Sequence, residues 1–241
     1  MNDMTHITAA PLPALIELSG AVKTYRKGSE QVSIFDGLDL RFDEGEFVAV
    51  MGPSGSGKTT LLNLLGGIDT IDGGDIRFQG ASIRDRGDAW LTRWRAAHVG
   101  FVFQFYNLMP YLTAAQNVEL PLLLTPLGAK ERRHRAALAL DLVGLSDRSR
   151  HRPGELSGGQ QQRVAIARAL VTDPELILAD EPTGDLDRAT ADEVLDMLDQ
   201  ISRVIGKTVV MVTHDPRAAE RARRVLHLDK GQLVTRPELV R

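Results

Sequence analysis

The segment Phe47-Val-Ala-Val-Met-Gly52-Pro-Ser-Gly-Ser-Gly-Lys58-Thr59 decides the fold of this 241-residue chain. Residues 47–51 are all apolar, which is typical of a strand that is buried on both faces. The following residues match the pattern G-x-x-x-x-G-K-[ST], and the positions from Thr59 to Leu65 continue as a helix. A buried strand, a glycine-rich loop and a helix in this order predict an α/β fold with a mostly parallel sheet.

The glycine-rich loop also predicts a ligand, because its composition suits the phosphates of a nucleotide. Glycines let backbone N–H groups turn toward phosphate oxygens, and the helix N-terminus adds a partial positive charge. Lys58 is expected to reach the β and γ phosphates, and the Thr59 hydroxyl to coordinate Mg²⁺. The residues expected to contact the nucleotide here are Gly52, Pro53, Ser54, Gly55, Ser56, Gly57, Lys58, Thr59 and Thr60.

An acidic pair, Asp180-Glu181, follows a second buried strand at Leu176–Ala179. The carboxyl ends of parallel strands form the ligand-binding edge of an open α/β sheet. We therefore expect Asp180 to hold Mg²⁺ and Glu181 to act as the general base toward the attacking water.

Composition excludes several classes of protein. The net charge is −3, which does not favour nucleic acid as a partner, and the basic runs at 132–135 and 221–224 suit solvated helix faces. Because the chain has no cysteine, disulfides and thiol chemistry are excluded. The first residues do not resemble a signal peptide, and no apolar run reaches the ~18–20 residues of a membrane span. Any role at a membrane is therefore expected to depend on a partner.

Periodicity divides the chain into a core and a helical part. We expect a flexible tail at 1–13 and one domain at 14–241, in which 14–86 and 161–241 form the core and 87–160 a helical subdomain. Predicted strands are Leu15–Leu18, Val22–Tyr25, Leu38–Phe42, Ile76–Phe78, Val99–Phe103 and Thr208–Thr213, with a closing hairpin at Val225–Val234 that turns at Lys230-Gly231. Predicted helices are Asp88–Ala97, Thr113–Leu124 and Ala129–Val143, and another that begins at Asp187, ends at Gly206 and buries Val194, Leu195, Leu198, Ile201 and Ile205.

The pentapeptide Leu156-Ser-Gly-Gly-Gln160 lies between the loop and the acidic pair, and an alanine-rich helix follows it. With the glycine-rich loop and Asp180-Glu181 in this order, residues 15–235 resemble the ABC-type ATPases. The resemblance implies a P-loop NTPase core, an N-terminal antiparallel β part, an inserted α-helical subdomain, and hydrolysis of ATP with Mg²⁺.

Further site residues are implied by the same resemblance. Tyr25 is similar to the aromatic residue that stacks on adenine, and Gln104 to the glutamine that contacts Mg²⁺ and the attacking water. His214 resembles the histidine that contacts the γ-phosphate. Asp185 and Asp187 resemble a loop that crosses a dimer interface, although the family pattern usually has asparagine at the position of Asp185.

The resemblance gives the pentapeptide a role in a second subunit's site. Leu156, Ser157, Gly158, Gly159 and Gln160 would face the γ-phosphate of ATP that is bound to another copy of the chain, with Asp185 and Asp187 nearby. Two ATP molecules would then be enclosed in a symmetric head-to-tail dimer.

Residues 100–110, 117–122 and 179–184 resemble the branch that serves lipoprotein release, macrolide or peptide export, and the related cell-division ATPase. This implies a permease partner and a peripheral position on the cytoplasmic face of the inner membrane. The segment after Gln104, which contains Tyr106, Leu108, Met109, Tyr111 and Leu112, either receives the permease or packs internally. Three functions are open to a chain that resembles this family: a transport ATPase, a mechanical regulator without transport, and a repair or translation ATPase. The third usually has coiled coils or tandem cassettes, which are absent here.

Overall fold

The structure is a computed structural model that describes residues 14–28 and 30–234. The predicted tail at 1–13 lies outside the described residues. The strands are β1 Ala14–Lys27, β2 Glu30–Asp43, β3 Phe47–Met51, β4 Gly73–Phe78, β5 Ala81–Ser82, β6 Val99–Phe103, β7 Leu176–Asp180, β8 Thr208–Thr213, β9 Arg224–Asp229 and β10 Gln232–Val234. The α-helices are α1 Lys58–Leu65, α2 Asp88–His98, α3 Ala114–Glu119, α4 Ala129–Leu142, α5 Gly158–Leu170, α6 Arg188–Arg203 and α7 Pro216–Ala219, with 3₁₀ turns at Leu120–Leu124, Ser146–Arg148 and Pro153–Glu155.

Two sheets form the α/β fold, and their arrangement confirms the predicted fold class. The six-stranded sheet has the order β10-β9-β3-β8-β7-β6, in which all neighbours are parallel except β10 and β9. The second sheet, β2-β1-β4-β5, is antiparallel and consists mostly of N-terminal strands.

Both faces of the six-stranded sheet are covered, which explains its continuously apolar strands. Along β3, Phe47 and Ala49 face a core shared with α3, α4, α5 and α6. Val48 and Val50 face the opposite core, which α1 and the antiparallel sheet complete. The carboxyl ends of β3, β6, β7 and β8 therefore meet at one exposed edge.

Several predicted boundaries were wrong. Leu15–Leu18 and Val22–Tyr25 belong to one 14-residue strand, whose register shifts on either side of Ala21. The predicted helix Thr113–Leu124 is α-helical only to Glu119 and then becomes a 3₁₀ turn, because Pro121 cannot donate a backbone hydrogen bond. The last α-helical residue of α6 is Arg203, so Ile205 lies beyond the buried face and is 40% exposed.

The predicted limits of the helical subdomain, 87–160, stay a prediction. Within them, β6 is the edge strand of the six-stranded sheet. Trp94 of α2 packs edge-to-face on Phe78 of β4, with ring centroids 5.2 Å apart. Strand β6 and helix α2 therefore pack with the two sheets, whereas α3 and α4 contact each other and α5.

Candidate functional site

A cavity of about 500 Å³ lies at the carboxyl ends of β3, β6 and β7. It is lined by nine of the residues that the sequence pointed to, namely Ser54, Gly55, Gly57, Lys58, Thr59, Thr60, Gln104, Asp180 and Glu181. Four further lining residues, Ile34, Phe103, Phe105 and Asn107, were not predicted. Gly52, Pro53, Ser56, Tyr25 and His214 were predicted for this site but do not line the cavity.

The C-terminal hairpin presses against the back of the glycine-rich loop. A Cβ atom on Gly52 would lie 2.1 Å from the Leu228 carbonyl oxygen, so only glycine fits there. The Gly231 backbone N–H donates to the Ser56 carbonyl oxygen over 3.2 Å. A Cβ atom on Gly231 would lie 1.7 Å from the Ile34 carbonyl oxygen. Strands β9 and β10 therefore support the loop from outside the cavity.

Hydrogen-bond donors are concentrated where the glycine-rich loop joins α1. Helix α1 begins at Lys58, after Gly57 at φ 102°, and no side chain caps its N-terminus. Its first N–H groups and partial positive charge are therefore left for an anion. The Lys58 ammonium donates to the carbonyl oxygens of Gly52 (2.7 Å) and Pro53 (2.9 Å), which hold it at the loop.

Asp180 lies beside Thr59 and Lys58 at the end of β7. Burial and the neighbouring Glu181 carboxylate raise the pKa of Asp180, while Lys58 and a hydrogen bond with Thr59 oppose this rise. A hydroxyl and a carboxylate fit Mg²⁺, which usually takes few protein oxygens and keeps several waters. The donor set therefore matches the expected ion, with Thr59 and Asp180 as the nearest candidate ligands.

Glu181 and His214 are in direct contact, which the sequence did not predict. Glu181 Oε1 lies 2.9 Å from His214 Nδ1, and the His214 backbone N–H donates to Oε2 over 3.4 Å. Glu181 has a φ of 46°, a left-handed conformation that is strained for glutamate. Its backbone N–H donates to the Val212 carbonyl oxygen over 3.0 Å, which ties this turn to β8.

Gln104 lines the cavity and packs on the segment that follows Glu181. A Cβ atom on Gly184 would come within 3.0 Å of Gln104 Nε2. The side chain is therefore positioned between the cavity and residues 182–187, where the resemblance expects a subunit interface.

Tyr25 lies beside the cavity rather than in it. Its hydroxyl donates to Asp69 over 2.5 Å and also interacts with Thr60. Burial and the Asp69 carboxylate raise the pKa of Tyr25. The Lys23 ammonium forms a 2.6 Å ion pair with Asp69 and stands 4.8 Å from the Tyr25 ring centroid. This fixed ring is 39% exposed and stays available for stacking.

The pentapeptide lies outside this cavity. Ser157 caps α5 by accepting from the Gln160 N–H over 3.3 Å, and the Gln160 side chain accepts from the Ser157 N–H over 3.0 Å. Both residues border a separate polar cavity of about 350 Å³. Leu156 is buried, and a Cβ atom on Gly159 would lie 2.1 Å from Thr190 Cγ2. Leu156 and Gly159 of the pentapeptide are therefore packed in the interior, whereas Ser157, Gly158 and Gln160 lie at the accessible N-terminus of α5.

Asp185 and Asp187 differ in their surroundings. Asp187 caps α6, accepting from the N–H groups of Ala189 and Thr190 and from the Thr190 hydroxyl. These bonds, the Thr190 hydroxyl first, lower the pKa of Asp187. Asp185 is exposed near the Tyr106 hydroxyl, whose pKa burial and this carboxylate raise.

The segment after Gln104 is partly exposed and partly packed. Phe105 is 70% exposed, Met109 51% and Tyr111 86%, whereas Leu108 packs against the helical core. The fully buried Asn117 side chain accepts from the Met109 N–H and donates to the carbonyl oxygens of Met109, Leu112 and Thr113. An apolar surface formed by Phe105, Met109 and Tyr111 is therefore held on a fixed backbone.

Two residues of α5 that the sequence analysis did not single out hold the turn after β6. Arg168 donates to the carbonyl oxygens of Asn107 (2.5 Å) and Tyr106 (2.8 Å). Tyr106 and Asn107 have φ values of 56° and 50°, and such a conformation costs a bulky residue about 1–3 kcal/mol. The buried Gln162 donates to the carbonyl oxygens of Phe103 (3.3 Å) and Pro182 (2.6 Å). The only sequence signal was their place within the helix that follows the pentapeptide.

None of the helices within 14–28 and 30–234 has both the length and the apolar character needed to cross a bilayer.

Comparison with known proteins identifies close relatives. The sequence profile described as ABC transporter matches residues 35–184. The chain is 47% identical over 219 residues to the lipoprotein-releasing system ATP-binding protein LolD of Chromohalobacter salexigens, covering 91% of this chain and 92% of that protein. It is 48% identical over 220 residues to the macrolide export ATP-binding/permease protein MacB of Sodalis glossinidius, covering 91% of this chain but only 34% of that longer protein.

A solved structure has the same fold. The dimeric post-hydrolysis state of the ATP-binding cassette MJ0796, bound to ADP and Pi, matches with a TM-score of 0.83 and 43% identity over 91% of this chain and 97% of that chain. The protein is from Methanocaldococcus jannaschii.

Proposed function

The chain belongs to the ABC transporter family and is an ATPase, and we propose that two copies close around two ATP molecules to drive a membrane permease. The observation that carries the dimer is the position of the pentapeptide. Ser157 and Gln160 border a different cavity from the one that the glycine-rich loop lines. The partial positive charge of an exposed helix N-terminus suits an anion, and the dimeric relative supports an anion held by a second copy.

Within one subunit, the loop and α1 bind the triphosphate, and the exposed Tyr25 ring stacks on adenine. Lys58 exchanges its two carbonyl contacts for phosphate oxygens. Thr59, Asp180 and Gln104 would hold Mg²⁺, which supplies charge neutralisation at the phosphates. Glu181 polarises the attacking water, and His214 orients that carboxylate while its ring reaches toward the γ-phosphate.

The second subunit completes the site through Ser157, Gly158, Gln160 and the backbone of Leu156 and Gly159, with Asp185 and Asp187 at the interface. Because the γ-phosphate contacts both subunits, ATP stabilises the closed dimer. Hydrolysis removes that contact, and the dimer opens.

The permease docks on the apolar surface formed by Phe105, Met109 and Tyr111. Relatives named for lipoprotein release and for macrolide export support an export function at the cytoplasmic face of the inner membrane. The alternative is a regulatory function, in which ATP cycling acts on the membrane partner without transport. The permease, not this chain, selects any cargo.

Mixed dimers test the composite site. Lys58→Ala and Ser157→Arg should each abolish turnover alone, because every site in either homodimer contains one defective half. A mixed dimer regains one intact site, so an equimolar mixture should recover about a quarter of wild-type sites in a symmetric dimer. Single-turnover hydrolysis of labelled ATP counts these sites. No recovery, or full recovery, would contradict a site built from two chains.

A further inference from the structure

The turn that joins Phe105 to the rest of the docking surface, Met109 and Tyr111, has an unusual backbone. Tyr106 and Asn107 are consecutive non-glycine residues in the left-handed region, at φ 56° and 50°. They follow Gln104, which lines the cavity, and precede Met109 and Tyr111 of the docking surface. The conformation of this turn therefore sets the position of Gln104 relative to that surface.

Arg168 is placed to hold this conformation. One terminal nitrogen of its guanidinium donates to the Asn107 carbonyl oxygen over 2.5 Å, and the other to the Tyr106 carbonyl oxygen over 2.8 Å. A planar guanidinium satisfies two acceptors at once, whereas a lysine ammonium acts as a single point charge. The carbonyl groups of both left-handed residues are thus bound by one side chain.

The segment from the end of β6 to this turn contacts α5 at two more places. Gln162 donates to the carbonyl oxygen of Phe103, the residue before Gln104. At the start of α5, a Cβ atom on Gly158 would lie 2.9 Å from the Tyr106 hydroxyl. The turn therefore lies along the helix that carries Ser157 at its N-terminus.

We propose that Arg168 is a positioning residue that fixes the Tyr106–Asn107 turn, and with it Gln104, against α5, the helix that begins within the pentapeptide. A shift of the docking surface is then transmitted to Gln104 and to Ser157 together. The inference rests on the proposed role of Gln104 in hydrolysis.

Glycine at position 107 provides the decisive test. Arg168→Met should lower kcat at least about fivefold with KM for ATP changed less than about twofold, because the nucleotide-binding loop is untouched. Arg168→Lys should also lower kcat, since the single ammonium nitrogen lacks the rigid fork that places one terminal nitrogen of arginine on each carbonyl oxygen. Asn107→Gly in the Arg168→Met background should restore a measurable part of the loss, because glycine adopts positive φ more readily than asparagine does.

Asp85→Gly is the matched control, because Asp85 has a φ of 55° at a site far from α5 in sequence. It relieves backbone strain elsewhere and should not restore kcat. Equal rescue by both glycines, or full activity in Arg168→Lys, would overturn the inference.

Gln104→Ala separates this inference from the proposed function. If Gln104→Ala lowers kcat and Arg168→Met does not, the role of Arg168 is wrong while that of Gln104 stands. If Gln104→Ala leaves kcat unchanged, the role of Gln104 fails, and the inference fails with it. Should Arg168→Met not fold, Arg168→Lys with and without Asn107→Gly gives the same comparison.

Discussion

Glu181 Oε1 lies 2.9 Å from His214 Nδ1, although the glutamate side chain is only 18% exposed and the histidine 73%. The pair therefore joins a shielded carboxylate at the cavity to a ring on the surface. The left-handed backbone of Glu181 and its contact with His214 together restrict where the carboxylate points.

Replacing Glu181 with glutamine should abolish turnover and preserve ATP binding. The amide keeps the shape of the side chain but cannot accept a proton, so we expect kcat to fall about 100-fold or more. Size-exclusion chromatography with ATP should then show a stable dimer. Glu175→Gln is the matched control, because Glu175 also contacts a histidine, His98, at 3.0 Å, and lies away from the cavity. Turnover near the wild-type rate in Glu181→Gln would remove this residue from the role of base.

Asp180→Asn should raise the unfolding temperature at neutral pH. Burial raises the pKa of Asp180, so its protonated form is favoured in the folded state. Such a group stabilises the fold below its unfolded pKa of about 3.9, and this stabilisation is lost as pH rises through the higher folded pKa. The variant's advantage should therefore shrink as the pH falls toward 4.

Asp75→Asn should show the opposite sign in the same thermal scans. A hydrogen bond from Ser82 is the main cause that lowers the pKa of Asp75, so this carboxylate stabilises the fold at neutral pH. An Asp180→Asn variant that unfolds at a lower temperature than wild type at pH 7.5 would show that desolvation does not dominate there.

Gly159→Ala should destabilise the fold, and Thr190→Ser should reverse most of the effect. The added Cβ atom would lie 2.1 Å from Thr190 Cγ2, and overpacking of this kind costs about 1–3 kcal/mol. Serine lacks that methyl group but keeps the hydroxyl that donates to Asp187. Urea denaturation measures the free energy of unfolding. Gly154→Ala, where a Cβ atom meets nothing within 4 Å, is the control. Absence of rescue would mean that Gly159 is required for another reason.

Tyr111→Asp should weaken association with the permease and leave ATP binding intact. Tyr111 is 86% exposed, so a carboxylate there disrupts an apolar contact without disturbing a core. Co-purification from detergent-solubilised membranes measures the association. Val204→Asp is the control, because Val204 is 82% exposed at the end of α6. Equal recovery of the permease with both variants would show that Tyr111 is not part of the docking surface.

The sequence predicted the parts of the site that depend on local pattern. Glycine spacing, the apolar runs of β3 and β7, and the acidic pair locate the loop, Asp180 and Glu181 at one sheet edge without any long-range information. The same holds for the Asp187 cap, which needs only its neighbours in α6.

Contacts between distant segments could not be predicted in this way. Arg168 and Asn107 are 61 residues apart, and nothing local marks an arginine that binds two backbone carbonyls. The length of β1 was missed because Gly20 and the irregular pairing near Ala21 interrupt the alternation along a continuous strand. The role of Tyr111 in docking stays a prediction, since its exposure shows only that the ring is available.

The hairpin that supports the glycine-rich loop also constrains when the loop can form during synthesis. Gly231, whose N–H donates to the Ser56 carbonyl oxygen, leaves the ribosome long after Thr59 does. At about 5–20 residues per second, this delay is roughly 10–35 s. A nascent chain therefore displays the loop sequence early but gains a supported ATP site only after Gly231 has been made and the β9–β10 hairpin can fold.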